Sequence, residues 1–115
     1  MLENFKIGID IINTSRFQEK IFDSNKIFYE KIFNLSEIKY CLNKKNSYES
    51  FGTKFAIKES VIKCLDKHIN FLDILTDYEN GKPTVKLLNN SSYQFLVSVS
   101  HEKSYAIAIV ISELI

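Results

Sequence analysis

The chain predicts an α+β domain, and three observations carry that expectation. A short β-branched strand opens it, several helical stretches follow, and a run of strands closes it. An Asn-Gly pair, Asn80-Gly81, sits between two of the late strands and marks a hairpin. With 115 residues and 45% hydrophobic content, the chain suits a single domain over 1–115 with a real core.

Ile7-Gly8-Ile9-Asp10-Ile11-Ile12 reads as a buried strand, with Ile7, Ile9 and Ile11 on one face. Asn13-Thr14-Ser15 offers N-cap chemistry for a helix over 16–22. Asp23-Ser24-Asn25 reads as a break. A short helix over 27–33 follows it, then a third that begins at Leu35-Ser36-Glu37 and runs to about Leu42. The longest helix spans 48–65, where Phe51, Phe55, Ile62 and Leu65 form one apolar stripe. Strands are expected over 72–78 and 84–88 around the hairpin turn. A second strand pair, 95–100 and 105–111, is joined around His101-Glu102-Lys103.

Composition excludes several classes. A net charge of +1 argues against a dedicated nucleic-acid binder. Most of the Lys and Arg precede Cys64, where an acidic macromolecule could dock or a solvated face could lie. Cys41 and Cys64 have no metal-finger spacing, and a reduced intracellular setting is the simple expectation. Met1-Leu2-Glu3-Asn4 lacks the basic region of a signal peptide, and no segment is long enough to span a membrane.

Five residues stand out chemically. Asp10 interrupts an apolar strand, where a carboxylate is costly without a partner. It either caps the following turn or binds a metal from a rigid strand. Glu59 and Lys63 are four apart, so they share a helix face, either as an ordinary surface pair or as site residues. Lys58 falls inside the apolar stripe. It either snorkels to water or points into a charged cleft. His101 ends a strand, a place from which it could contact phosphate or move a proton; His68 reads as structural or exposed. Two carboxylates beside a lysine suit magnesium and phosphate chemistry. No P-loop, GxGxxG, HExxH or GxSxG pattern is present.

These residues occur in a series that resembles one family. Gly8-Ile9-Asp10-Ile11, Arg16, Lys31-Ile32-Phe33 with Glu37 and Tyr40-Cys41, Phe55-Ala56-Ile57-Lys58-Glu59 with Lys63, Asn80-Gly81-Lys82-Pro83, and Ser98-Val99-Ser100-His101 with Tyr105-Ala106 follow one another along nearly the whole chain. Together they are similar to the GxDI, FAxKExxxK, NGKP and SxSH…YA segments of holo-acyl-carrier-protein synthases. The resemblance implies a 4'-phosphopantetheinyl transferase-like fold. It also implies transfer of 4'-phosphopantetheine from coenzyme A to a serine of apo-acyl carrier protein, a step of fatty acid biosynthesis, in the cytoplasm. Asp10 and Glu59 would bind Mg²⁺. Lys63 would act on the departing 3',5'-ADP, and His101 would lie beside the pyrophosphate. Lys54, Phe55, Lys58 and Asn80, Gly81, Lys82 and Pro83 would hold CoA, and Arg16 would meet the acidic carrier. The family's short members are homotrimers with sites between subunits. Lys54 stands where the family usually has Arg, and Asn13 where many members are acidic. The competing reading is a non-catalytic member that binds CoA or a carrier protein.

Overall fold

The computed structural model describes residues 2–115; Met1, which opens the stretch read above for a leader, lies outside them. Strand β1 is Phe5–Asn13. Three short helices follow: α1 Ser15–Glu19, α2 Lys26–Glu30 and α3 Leu35–Leu42, with a single 3-10 turn, Phe22–Ser24, after α1. The long helix α4 is Ser47–Cys64. A second 3-10 turn, Phe71–Asp73, leads to β2 Ile74–Glu79 and β3 Lys82–Leu87, then β4 Tyr93–Glu102 and β5 Tyr105–Leu114.

The α+β expectation holds: one strand, helices, then antiparallel strands. The strands form an antiparallel sheet of order β1-β5-β4 and a separate β2-β3 hairpin. That hairpin turns at Asn80 and Gly81, both at positive φ, as an Asn-Gly turn requires. α1 ends sooner than expected, because Lys20 leaves helical geometry (φ −101°, ψ 87°). The Tyr29 hydroxyl donates to the freed Lys20 carbonyl and to that of Phe17. β4 runs further than expected, through His101 and Glu102, since a tight turn with Lys103 at φ 53° suffices to start β5.

Packing reverses one expectation about β1. Ile7, Ile9 and Ile11 share a face, but that face is exposed, at 57–62%. The opposite face, Gly8, Asp10 and Ile12, turns toward α4. Gly8 permits this contact, for a Cβ there would lie 1.9 Å from the Ser60 carbonyl oxygen. Ser60 Oγ donates to the Ala108 carbonyl of β5 at 3.1 Å. α4 thus lies on the inner face of the sheet, over Ala106, Ala108 and Val110. Its far side contributes Phe51 to an aromatic cluster with Phe17, Tyr29 and Phe33. Every residue from Phe51 to Lys58 is buried. Past Lys58 the helix opens at Glu59, Ile62 and Lys63 only.

Candidate active site

That opening is where β1 brings Asp10. The Lys63 ammonium donates to Asp10 Oδ1 at 3.1 Å and to the Ile9 carbonyl at 2.9 Å. The Asp10 side chain is 16% exposed and that of Lys63 52%, so the lysine head remains reachable from solvent. Strand-end capping does not account for Asp10, whose hydrogen bond crosses to another element. Burial pushes the Glu59 carboxyl above its ordinary range, and the Asp10 charge adds to the push; Lys63 and Arg16 oppose it. Two carboxylates and two cations therefore feel one another at one end of α4. Arg16 sits at the edge of this cluster, its guanidinium 5.4 Å from the centre of the Phe55 ring.

The crowded carboxylates test whether a divalent cation suits the site. A carboxyl that resists ionisation beside another carboxylate gains from a nearby positive charge. One or two carboxylates, completed by water and phosphate oxygens, make a typical magnesium set. Among the described residues no group of three or more His, Cys, Asp or Glu side chains gathers. A metal at Asp10 and Glu59 would thus take its remaining oxygens from substrate and water.

His101 lies on the same inner face of the sheet but at its other edge. It pairs with Ala106 of β5, which pairs in turn with Ile12 of β1. Two strand spacings across and two residues along separate His101 from Asp10 by about 12 Å between Cα atoms. His101 Nε2 meets Thr53 Oγ1 of α4 at 3.5 Å. One chain does not bring His101 to the Asp10–Glu59–Lys63 cluster. Asn80, Gly81 and Lys82 are exposed at the tip of the β2-β3 hairpin, with Pro83, the second residue of β3, half-buried beside them.

Three residues expected to hold CoA prove to be buried. Lys58 neither snorkels nor faces a cleft. Its ammonium is sealed in the interior and donates to the Ile32 carbonyl (2.7 Å), Glu37 Oε1 (2.7 Å) and the Phe71 carbonyl (3.0 Å). An ammonium has three N–H donors, so none is left for CoA. Lys54 is also buried. It donates to Thr76 Oγ1 at 3.0 Å, with the Tyr40 and Tyr78 rings 4.7 and 5.1 Å away. Its head faces these side chains from within the protein. Phe55 is buried too, between Phe17 and Phe71.

Glu37, named above only as a motif position, has a role that sequence reasoning missed: it is the partner of Lys58. Its Oε1 accepts from Lys58 and from the Asn34 backbone (2.7 Å), and its Oε2 accepts from the Thr76 backbone (2.9 Å) and hydroxyl. Burial would raise its carboxyl, but Lys58 and these hydrogen bonds hold it below the ordinary range. A signal was available: a lysine inside an apolar stripe demands a buried acid, and Glu37 shares the inward side of α3 with Ile38 and Cys41.

The family model described as the 4'-phosphopantetheinyl transferase superfamily matches residues 6–110. A holo-[acyl-carrier-protein] synthase of Chloroherpeton thalassium is 38% identical over 118 residues, covering 94% of this chain and 97% of that protein. The chain belongs to the holo-[acyl-carrier-protein] synthase family. A member from Mycoplasma capricolum is 37% identical, with 93% of each chain covered. Among solved structures of the family, the Bacillus anthracis synthase in complex with CoA (3',5'-ADP) superposes with a TM-score of 0.81. It is 31% identical, and 96% of each chain is covered. The Helicobacter pylori synthase in complex with coenzyme A gives a TM-score of 0.79 at 28% identity, over 93% of this chain and 99% of that one.

Proposed function

We infer that this chain transfers the 4'-phosphopantetheine arm of coenzyme A to a serine of apo-acyl carrier protein. The products are holo-acyl carrier protein and adenosine 3',5'-bisphosphate. Family membership supports the reaction, and the CoA-bound relatives support the donor. The observation that carries the reading in this chain is the convergence of Asp10, Glu59 and Lys63 where α4 comes out of the core.

The serine oxygen attacks the β-phosphorus of CoA. The bond from that phosphorus to the bridging oxygen breaks, the adenosine bisphosphate leaves with the electron pair, and the serine proton passes to a base. Asp10 and Glu59 would hold Mg²⁺, which when bound supplies positive charge to the pyrophosphate oxygens. Lys63 meets negative charge as it grows on the leaving phosphate. His101 serves beside the pyrophosphate. Asn80, Gly81, Lys82 and Pro83 hold the nucleotide end from an exposed turn, and Arg16 receives the acidic carrier.

A homotrimer with its sites between subunits fits two observations. One chain leaves His101 far from Asp10. The outer face of the sheet exposes Ile7, Ile9, Ile11, Leu96 and Ile107, more apolar surface than scattered single residues explain. The cytoplasm suits the free thiols of Cys41 and Cys64. Among the described residues no helix is long and apolar enough to cross a membrane.

Incubation with CoA, Mg²⁺ and apo-carrier protein tests the function. The carrier should gain the mass of one phosphopantetheine arm. CoA binding without any mass gain would reject the transferase in favour of a binding protein.

A further inference from the structure

The Lys58–Glu37 pair touches no part of the open site, yet it holds the helix that carries half of that site. The three acceptors of Lys58 come from the segment after α2 (Ile32), from α3 (Glu37) and from the 3-10 turn before β2 (Phe71). Glu37 adds the N-terminal end of α3 through Asn34 and strand β2 through Thr76. Lys54, one turn earlier on α4, reaches the same Thr76. Every donor and acceptor of the pair is used, and both side chains are fully buried. On its opposite flank α4 is fixed to the sheet by the close contact of Gly8 with Ser60 and by the Ser60–Ala108 hydrogen bond.

We propose that Lys58 and Glu37 are positioning residues for phosphopantetheinyl transfer: their buried ion pair sets the rotation of α4, and so the aim of Glu59 and Lys63 at Asp10. Glu59 lies about 100° round the helix from Lys58, and Lys63 about 140°. A carboxylate on such a helix stands ~5–6 Å from the axis, so a twist of about 10° carries it roughly 1 Å. A misplacement of that size in a reacting group can cost on the order of 100-fold in rate. Apolar packing resists separation of elements but is tolerant of small rotations. Hydrogen bonds are directional, and this pair makes them to four segments outside α4. Stability alone does not call for the pair, because a buried ion pair can often be replaced by neutral residues of like volume with no loss.

The inference rests on Asp10, Glu59 and Lys63 forming the reacting site, and the experiment separates the two ideas. The principal variant is Lys58→Met with Glu37→Gln, which removes both charges and keeps an amide near Asn34 and Thr76. Glu37→Asp is the companion; it keeps the ion pair but draws its anchor back by one methylene. Thermal melting shows which variants are folded. For those, kcat and KM are measured for CoA and carrier, and Mn²⁺ affinity is measured by calorimetry in the presence of CoA. We expect kcat to fall roughly 10- to 100-fold in the folded variants, with carrier KM within about threefold of the parent. We expect Mn²⁺ to bind roughly tenfold more weakly per site. A purely structural pair would lower the fraction of binding-competent protein and leave the affinity of each site alone. Parental kcat and Mn²⁺ affinity in either folded variant would overturn the positioning role. Glu59→Gln, assayed alongside, tests the site itself: if it retains full activity, the site assignment and this proposal both fall.

Discussion

Helix α4 makes two lysine–carboxylate pairs whose circumstances are opposite. Lys58 and Glu37 have side chains 0% exposed, and each polar atom is satisfied within the protein. Lys63 and Asp10 are 52% and 16% exposed, with the lysine head reachable from solvent. The same charges thus build a sealed joint in one place and a solvent-facing pair in the other. What decides between them is unused hydrogen-bonding capacity. A saturated ammonium cannot greet a phosphate, whereas one held by two acceptors at the surface can.

The contrast is broken most severely from the buried side. Lys58→Ala should destabilise the fold by about 3–5 kcal/mol, because it strands the Glu37 carboxylate in the interior. Denaturant titration at neutral pH measures this, and a loss below about 1 kcal/mol would show that the interior readily solvates Glu37.

The mirror experiment is Lys63→Ala. Stability should change by less than about 1 kcal/mol, as for other exposed pairs, while kcat should fall on the order of 100-fold with CoA affinity little altered. Single-turnover rates with separately measured CoA binding check it. Near-normal turnover would reduce Lys63 to a surface partner of Asp10.

Much of this contrast was legible in the sequence, though not all. The boundaries of α3 and α4 and the Asn80-Gly81 turn follow from periodicity and turn chemistry, which act over a few residues. Asp10, Glu59 and Lys63 stood out because a charge in or beside an apolar pattern is conspicuous, and the structure does gather them. The fate of Lys58 was legible only in part: a lysine inside an apolar stripe calls for a buried acid, but its acceptors are 13 to 26 residues away in sequence and no local pattern names them. Nor could alternation along β1 tell which face meets α4. The usual rule would bury Ile7, Ile9 and Ile11; a glycine and an aspartate face the helix instead, because Gly8 gives it room. The interval between His101 and Asp10 depends on strand order, which no local pattern encodes.

Smaller effects sharpen the comparison on the open side. Arg16→Glu should raise the KM for carrier protein severalfold while changing that for CoA much less. The attraction it reverses is screened over roughly 8 Å at physiological salt, so the difference should shrink as salt is added. Equal changes for both substrates would move Arg16 from carrier docking to the nucleotide or the fold.

The smallest expected effect is a gain. Because the folded state raises the Glu59 carboxyl, Glu59 favours folding only while protonated, and that contribution fades as pH rises from the ordinary carboxylate range through the raised value. Without metal, Glu59→Gln should therefore melt slightly higher than the parent at neutral pH and no higher in acid, while losing most activity. A lower melting temperature at neutral pH would mean that the Glu59 charge is already well compensated by Lys63 and Arg16.

Gly8 has a consequence for variation at its own position. Its φ does not lie in the left-handed region, so backbone freedom is not why glycine stands there. The obstacle to any other side chain is the Ser60 carbonyl, 1.9 Å from where a Cβ would be. That carbonyl belongs to helix backbone and cannot swing aside as a side chain could. Saturation mutagenesis under selection for activity should therefore leave position 8 with glycine alone. Even alanine would lift the helix from the strand and draw Glu59 away from Asp10, in a chain that could still fold.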